Sequence, residues 1–260
     1  MTARRTLAGN WKMNLGLGEA QALYRGVADG AKGYPATRIL IFPPFTALAS
    51  LAQTRRDGDP PIGAQNCHFE PSGAFTGEVS AEQAKDSGAE YVLVGHSERR
   101  RLFCENDLLI RQKLTAAWRA SLTPILCIGE TMVERSRRET RDILSRQIRR
   151  ALEGANPRAP LLVAYEPVWA IGTGVVATTD EVAEAHGWVR EELNAAGRDA
   201  AGGGTPVLYG GSVDAKNAGP LAQVPDVDGF LVGGASLKAA TFLAIAGALE
   251  ASEPRSSAAN

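Results

Sequence analysis

The sequence predicts an α/β fold: a single-domain barrel of eight parallel strands, with a helix after each strand. Three observations carry this. Eight short apolar runs alternate with longer helical patterns from end to end of the 260-residue chain. Several runs are unbroken, as in Ile39-Leu40-Ile41-Phe42, Tyr91-Val92-Leu93-Val94 and Ile125-Leu126-Cys127-Ile128, the pattern of strands covered on both faces. Strict alternation also calls for right-handed crossovers between parallel strands, which close into a barrel when there are eight of them.

Strands are read at Leu7–Trp11, Arg38–Phe42, Ile62–Gln65, Tyr91–Val94, Pro124–Ile128, Leu161–Tyr165, Val207–Tyr209 and Gly229–Val232. Between them, helices are read at Glu19–Ala31, Thr46–Gln53, Ser80–Asp86, Asp107–Ala120, Glu134–Leu152, Thr179–Ala196, Asp214–Ala222 and Leu237–Ala251. Pro43 and Pro44 act as breakers before the second helix, and Gly88 stops the third. In the sixth, Val182, His186, Val189 and Leu193 fall on one helical face, with Thr179 or Asp180 as its cap. The barrel takes residues 1–251. The Gly-rich stretch Gly197–Gly204 reads as a surface loop and residues 252–260 as a flexible tail.

Composition excludes several classes. Hydrophobic residues make up 44% and charged residues 22%, enough for a sizeable core. A formal net charge of -1 gives no reason to expect nucleic acid or an anionic membrane as partner. The basic stretch from Arg135 to Arg150 is interrupted by Glu139 and Asp142 and reads as the solvated face of a helix. Cys67, Cys104 and Cys127 are odd in number and widely spaced, which argues against a disulfide framework or a zinc site and for reduced thiols in the cytoplasm. The N-terminus has no apolar core of a signal peptide, and no apolar run approaches the ~20 residues needed to cross a bilayer.

A barrel of this kind carries its chemistry at the C-terminal ends of the strands. There the sequence places Asn10 and Lys12, then Gly95-His96-Ser97-Glu98, Glu166-Pro167, Gly172-Thr173-Gly174, Gly210-Gly211-Ser212, and Gly233-Gly234 with Ser236. Glycines let main-chain N–H groups close on an anion, so three clusters on one rim point to phosphate, helped by a helix starting after Gly233-Gly234. Gly172-x-Gly174-x-x-Ala177 also matches a dinucleotide fingerprint. That reading fails because Glu166 and Pro167 separate it from the strand and no acid ends the next strand. Glu166, His96 and Lys12 each have a plain structural reading when taken alone. Two details favour chemistry. Lysine is scarce, at six residues, yet one sits among Trp11, Met13 and Leu15. Glu166 is framed by Tyr165, Pro167, Val168, Trp169 and Ile171, an apolar setting that sharpens a carboxylate as a base. His68, His186 and Cys127 have no such support.

Five segments then resemble the signatures of the triosephosphate isomerase family: Ala8–Asn14, Val94–Arg100, Ala164–Gly174, Tyr209–Val213 and Leu231–Ala235. The resemblance runs from Leu7 to Leu249 and implies a TIM barrel that needs no cofactor and no metal. It implies that the enzyme interconverts dihydroxyacetone phosphate and D-glyceraldehyde 3-phosphate. By position, Glu166 resembles the base, His96 the electrophile, Lys12 the positive charge and Asn10 a positioning group. A glutamate base beside a neutral histidine at a helix N-terminus is this family's known pattern, and Ser97-Glu98-Arg99-Arg100 offers the helical turn. The backbone at Gly172, Ser212, Gly233 and Gly234 resembles the phosphate cradle, with Glu98 in support. Pro167–Ala177 resembles the mobile lid, with Tyr209 and Ser212 as its closed-state partners and Ile171 and Leu231 as an apolar clamp. Gln65–Glu78 resembles the interdigitating loop of a homodimer, with Thr76 reaching the neighbour's Asn10 and Lys12.

The chain departs from the family at Val175-Val176-Ala177, where many members carry Lys-Thr-Ala, at Cys104, where a glycine is common, and in the enlarged Gly197–Gly204 loop. Alternatives remain open at this point. One is an isomerase of a four-carbon ketose phosphate such as erythrulose phosphate. Another is a Schiff-base lyase using Lys12. The third is a non-catalytic phosphate-binding barrel.

Overall fold

The computed structural model describes residues 5–171, 175–198 and 204–252. Eight strands form: β1 (Arg5–Asn10), β2 (Thr37–Phe42), β3 (Gly63–Ala64), β4 (Tyr91–Val94), β5 (Thr123–Ile128), β6 (Leu162–Tyr165), β7 (Val207–Tyr209) and β8 (Gly229–Val232). They pair in parallel in the order β2-β1-β8-β7-β6-β5-β4-β3. The ring closes between β2 and β3, where Ile41 N–H donates to Pro61 O at 3.1 Å beside a parallel bridge from Ile41 to Ile62. All eight predicted strands are present.

The unbroken apolar runs serve two cores at once, because successive side chains of a strand face opposite ways. Ala8, Leu40, Phe42, Leu93, Ile125, Cys127, Ala164 and Leu208 fill the inside of the barrel. Leu7, Ile39, Ile41, Leu126 and Ile128 point outward into a layer shared with the helices. Truncating one of these buried leucines to alanine costs about 2–5 kcal/mol. Where Phe42 crosses the interior its ring needs Gly63, since a Cβ there would stand 2.2 Å from Phe42 Cε1.

The helices are α1 (Leu17–Ala31), α2 (Phe45–Thr54), α3 (Ala81–Asp86), α4 (Ser97–Leu102), α5 (Asp107–Arg119), α6 (Met132–Ser136), α7 (Thr140–Leu152), α8 (Thr179–Ala195), α9 (Ala218–Ala222) and α10 (Ala239–Ala251). Three differ from the sequence reading. The helix read as Glu134–Leu152 is two, α6 and α7, broken at Arg138, which takes φ +59. Asp214–Ala222 is helical only over Ala218–Ala222, because the Asp214 side chain draws the N–H groups of Lys216 and Asn217 into a turn. The cap of α8 is Thr178, in a reciprocal box with Glu181, and not Thr179 or Asp180. The basic stretch is more engaged than a solvated face. Arg141 and Arg149 pair with Glu191 and Glu192 of α8, and Arg135 lies 4.3 Å over the Trp169 ring.

The three thiols are free, with Cys67 and Cys127 buried and Cys104 exposed. Among the described residues no helix is long and apolar enough to cross a membrane. The predicted tail beyond Ser252 and most of the Gly197–Gly204 loop lie outside the described residues.

Candidate active site

The site begins where β1 ends. Asn10 is buried, and its Oδ1 accepts the N–H of Lys12 at 3.0 Å. This bond carries Lys12 at φ +52, a left-handed conformation that costs a non-glycine residue about 1–2 kcal/mol. Gln65 holds the strained peptide from the other side, its Nε2 donating to Lys12 O at 2.8 Å and to Phe42 O at 2.9 Å. The Lys12 ammonium is thereby aimed across the rim to Glu98 Oε1 at 2.6 Å. Strain fixed by its surroundings in this way clusters at functional sites.

β4 leaves the barrel at Gly95, where φ is +75 and a Cβ would stand 2.9 Å from Ile110 Cδ1; both facts require glycine. The next residue, His96, caps α4, and its Nδ1 accepts the N–H of Glu98 at 3.3 Å. A ring nitrogen that accepts cannot also carry the proton, so the neutral tautomer has its hydrogen on Nε2. Nε2 stands 3.0 Å from Glu166 Oε1, and Glu166 Oε2 accepts the N–H of Ser97 at 2.8 Å. The start of α4 therefore holds both the histidine and the carboxylate. Both are buried, at 6% and 2% exposure.

Burial pulls the His96 pKa down, but Glu166 and then Glu98 pull harder the other way, and the net direction in the free protein is upward. This differs from the neutral, lowered histidine that the resemblance implies, and the reason is the carboxylate parked on its Nε2. Burial would raise the Glu98 carboxyl, but the bond from Lys12 and the charge of His96 hold it below its usual value.

Next to these groups the rim is lined by backbone. The 3-10 turn Gly234–Leu237 follows β8, fastened by the Ser236 hydroxyl donating to Gly233 O at 2.6 Å. A Cβ on Gly233 would come 3.3 Å from Lys12 Cε, so the glycine keeps main chain and ammonium close. Ser212 is fixed through its carbonyl, which accepts from Asn217 Nδ2 at 3.0 Å. Tyr209 is fully buried, and its hydroxyl lies where a Gly211 side chain would otherwise be. Burial raises its pKa, against the pull of the Ala177 backbone N–H.

One cavity of about 260 Å³ brings these groups together. Asn10, Lys12, His96, Glu166, Ile171, Ser212, Leu231, Gly233 and Gly234 all line it. Glu98 reaches it through Lys12, and Tyr209 backs the Gly211 wall. Gly172 lies outside the described residues. Thr76 is exposed and away from the cavity of its own chain. Among the described residues no group of His, Cys, Asp and Glu is placed to hold a metal ion.

Sequence reasoning passed over three polar residues. Gln65 closes the strand read at Ile62–Gln65 and opens the Gln65–Glu78 loop, and neither reading gives its side chain a role. Glu130 is fully buried and accepts from Trp169 Nε1 at 2.8 Å and from the Tyr165 hydroxyl at 3.2 Å. It directly follows Gly129 at the end of β5, so the strand-end rule that found the others would have found it too. Arg100 ties the ends of β4 and β5 together, from Nε to Gly95 O at 3.0 Å and from a terminal nitrogen to Cys127 O at 3.3 Å.

The model of the family described as triosephosphate isomerase matches residues 5–249. The chain belongs to this family. The triosephosphate isomerase of Xanthobacter flavus is 49% identical over 96% of this chain and 100% of its own length. That of Bradyrhizobium diazoefficiens is 48% identical over 94% of this chain and 96% of its own. The crystal structure of triosephosphate isomerase from Bartonella henselae superposes with a TM-score of 0.86 at 40% identity, covering 94% of this chain and 98% of that one. As a triosephosphate isomerase family member the chain is an enzyme, an isomerase of the aldose–ketose class with a TIM barrel fold.

Proposed function

We propose that the protein interconverts dihydroxyacetone phosphate and D-glyceraldehyde 3-phosphate by moving one proton between adjacent carbons. The Glu166 carboxylate takes the proton from C1 and leaves an enediolate. Lys12 and the Nε2–H of His96 face the oxygens on which charge develops, where fixed positive charge and donors stabilise the transition state most. His96 Nε2 passes one proton from the C1 hydroxyl to the C2 oxygen, and protonated Glu166 returns the carbon-bound proton to C2, so that C1 becomes the carbonyl and the groups regain their starting protonation. Asn10 orients the substrate, and main-chain groups at Ser212, Gly233 and Gly234 grip its phosphate, with Gly172 completing the cradle.

The observation that carries this reading is the convergence of Glu166, His96 and Lys12 on one cavity that the glycines Gly233 and Gly234 also line. To reach carbon, the carboxylate must leave His96 and Ser97. Its departure removes the main upward pull on His96, and burial then favours the neutral ring that a carbonyl polariser needs. The lid over Pro167–Ala177, closing with Ile171 and Leu231 against the substrate, excludes water and protects the enediolate from losing phosphate. Two chains form a homodimer in which Thr76 completes the neighbour's site.

A coupled assay with glyceraldehyde 3-phosphate, run beside erythrulose 4-phosphate, tests the substrate. The three-carbon sugar is expected to have the higher kcat/KM, since that ratio reports transition-state discrimination. A preference for the four-carbon sugar would overturn it. Glu166→Asp tests the base. Withdrawing the carboxylate by one methylene is expected to cost on the order of 100-fold in kcat with binding mostly kept.

A further inference from the structure

We propose that Gln147 is a positioning residue for the proton transfer, acting on Glu166 through the backbone of Gly129. Gln147 lies on α7 and is 5% exposed. Its amide spends both of its ends on a single residue. Oε1 accepts the N–H of Gly129 at 2.8 Å, and Nε2 donates to the carbonyl of Gly129 at 3.0 Å; both bonds are buried.

The reason for the clamp is a missing strand. Past the end of β5 the ladder with β6 continues, Glu166 N–H donating to Ile128 O at 2.7 Å and Val168 N–H to Glu130 O at 3.1 Å. Alternate residues of a parallel strand turn their polar groups to alternate neighbours. Gly129 therefore turns its own N–H and C=O away from β6, to the side where β4 has already ended at Val94. The chain there has bent off at Gly95 to form α4. Gln147 supplies the donor and acceptor that β4 no longer provides. No other neutral side chain of this length both donates and accepts in one plane.

The held peptide presses directly on the base. A Cβ at Gly129 would stand 1.8 Å from Glu166 O and 3.3 Å from Glu166 Cα, so the two main chains are in contact with no side chain between them. Across the residue, a Cβ at Gly210 would stand 2.9 Å from Glu166 Cγ. Glu166 is thus wedged between two glycines, Gly129 against its backbone and Gly210 against its side-chain stem, while its carboxylate accepts from Ser97 and lies against His96. A shift of Gly129 is passed to the carboxylate, and proton transfer is sensitive to misplacement of this size.

This inference rests on Glu166 being the base, and the test separates the two. Gln147→Leu, close in shape, removes both bonds. The full-length variant is expected to lose about tenfold to 100-fold in kcat per folded enzyme, while KM and the inhibition constant for inorganic phosphate stay within twofold. A role confined to stability would change the folded fraction and leave kcat per folded molecule intact, and that outcome overturns the proposal. If the leucine variant does not fold, Gln147→Glu decides on the same criteria, because it keeps the acceptor for Gly129 N–H and loses the donor to Gly129 O. Glu166→Asp is run alongside. A full rate in that variant removes the base itself; a crippled Glu166→Asp beside fully active Gln147 variants removes only the role of Gln147.

Discussion

His96 Nε2 stands 3.0 Å from one oxygen of Glu166, and the other oxygen of that carboxylate holds the N–H of Ser97 at 2.8 Å. The carboxylate proposed as the base is thus docked, in the free protein, on the proposed electrophile and on the first peptide of α4. This pairing raises the His96 pKa above its usual 6.5 despite burial. Linkage then sets the sign. A raised folded-state pKa adds stability that is fully present below pH 6.5 and is lost as pH rises through the folded value. Removing the charge of Glu166 should therefore cost more stability in acid than in alkali. We expect the Tm difference between the protein and its Glu166→Gln variant to be more destabilising at pH 5.5 than at pH 9. The His96 imidazole of the variant should also titrate lower by NMR. Equal differences at the two pH values would mean that the carboxylate does not govern this histidine.

Lys12 holds its ammonium 2.6 Å from Glu98 on a backbone kept at φ +52. Its charge faces the cavity beside Gly233, where the proposed reaction brings the negative charges of the substrate phosphate and the developing enediolate. A neutral isostere loses both interactions. Lys12→Met is expected to raise KM and to lower kcat by on the order of 10²–10³-fold, the scale of removing one stabilising group from an oxyanion site. Turnover surviving intact in a folded Lys12→Met variant would show that the charge is not used.

The strands were legible because burial on both faces writes itself as unbroken apolar runs, and the rim followed from the strand ends. Glu166, His96 and Lys12, far apart in sequence, meet where that rule placed them. What escaped has one physical character. Gln65, Gln147 and Arg100 act by hydrogen-bonding carbonyls and N–H groups of distant main chain, and no local pattern marks a side chain whose partner is a peptide from another strand. The break in Glu134–Leu152 was hidden because Arg138 is neither Gly nor Pro, the usual signs of a positive φ or a stop.

Glu130 is an acid with no exposed surface, reached by Trp169, Tyr165 and, at 3.7 Å, Arg135. Burial raises its pKa, and these partners only partly offset it. Folding therefore shifts its balance toward the protonated form relative to the unfolded chain, and stability falls as pH rises from the unfolded value through the folded one. Glu130→Gln keeps an acceptor for Trp169 and Tyr165 without the charge. The variant should melt at or above the temperature of the unmodified protein at pH 8, with the gain shrinking in acid. Thermal melts at pH 8 and pH 4 check this, and a lower Tm for the variant at pH 8 would mean that Arg135 compensates the charge more than burial penalises it.

The proposed homodimer yields the last prediction. In the single chain Met13, next to Lys12, is 95% exposed, and Phe75, next to Thr76, is 42% exposed. Large apolar side chains left open in this way call for a covering surface. Within its own chain the strained peptide of Lys12 is held by Asn10 and Gln65. A neighbour's Thr76 arriving at that strand end would add a third restraint against relaxation of a conformation that costs about 1–2 kcal/mol. Thr76→Arg places a bulky charge at that contact. We expect the variant to sediment as a monomer at micromolar concentration, with specific activity rising as protein concentration rises, because the site is completed only on association. A Thr76→Arg monomer of full, concentration-independent activity would show that each barrel holds Lys12 unaided.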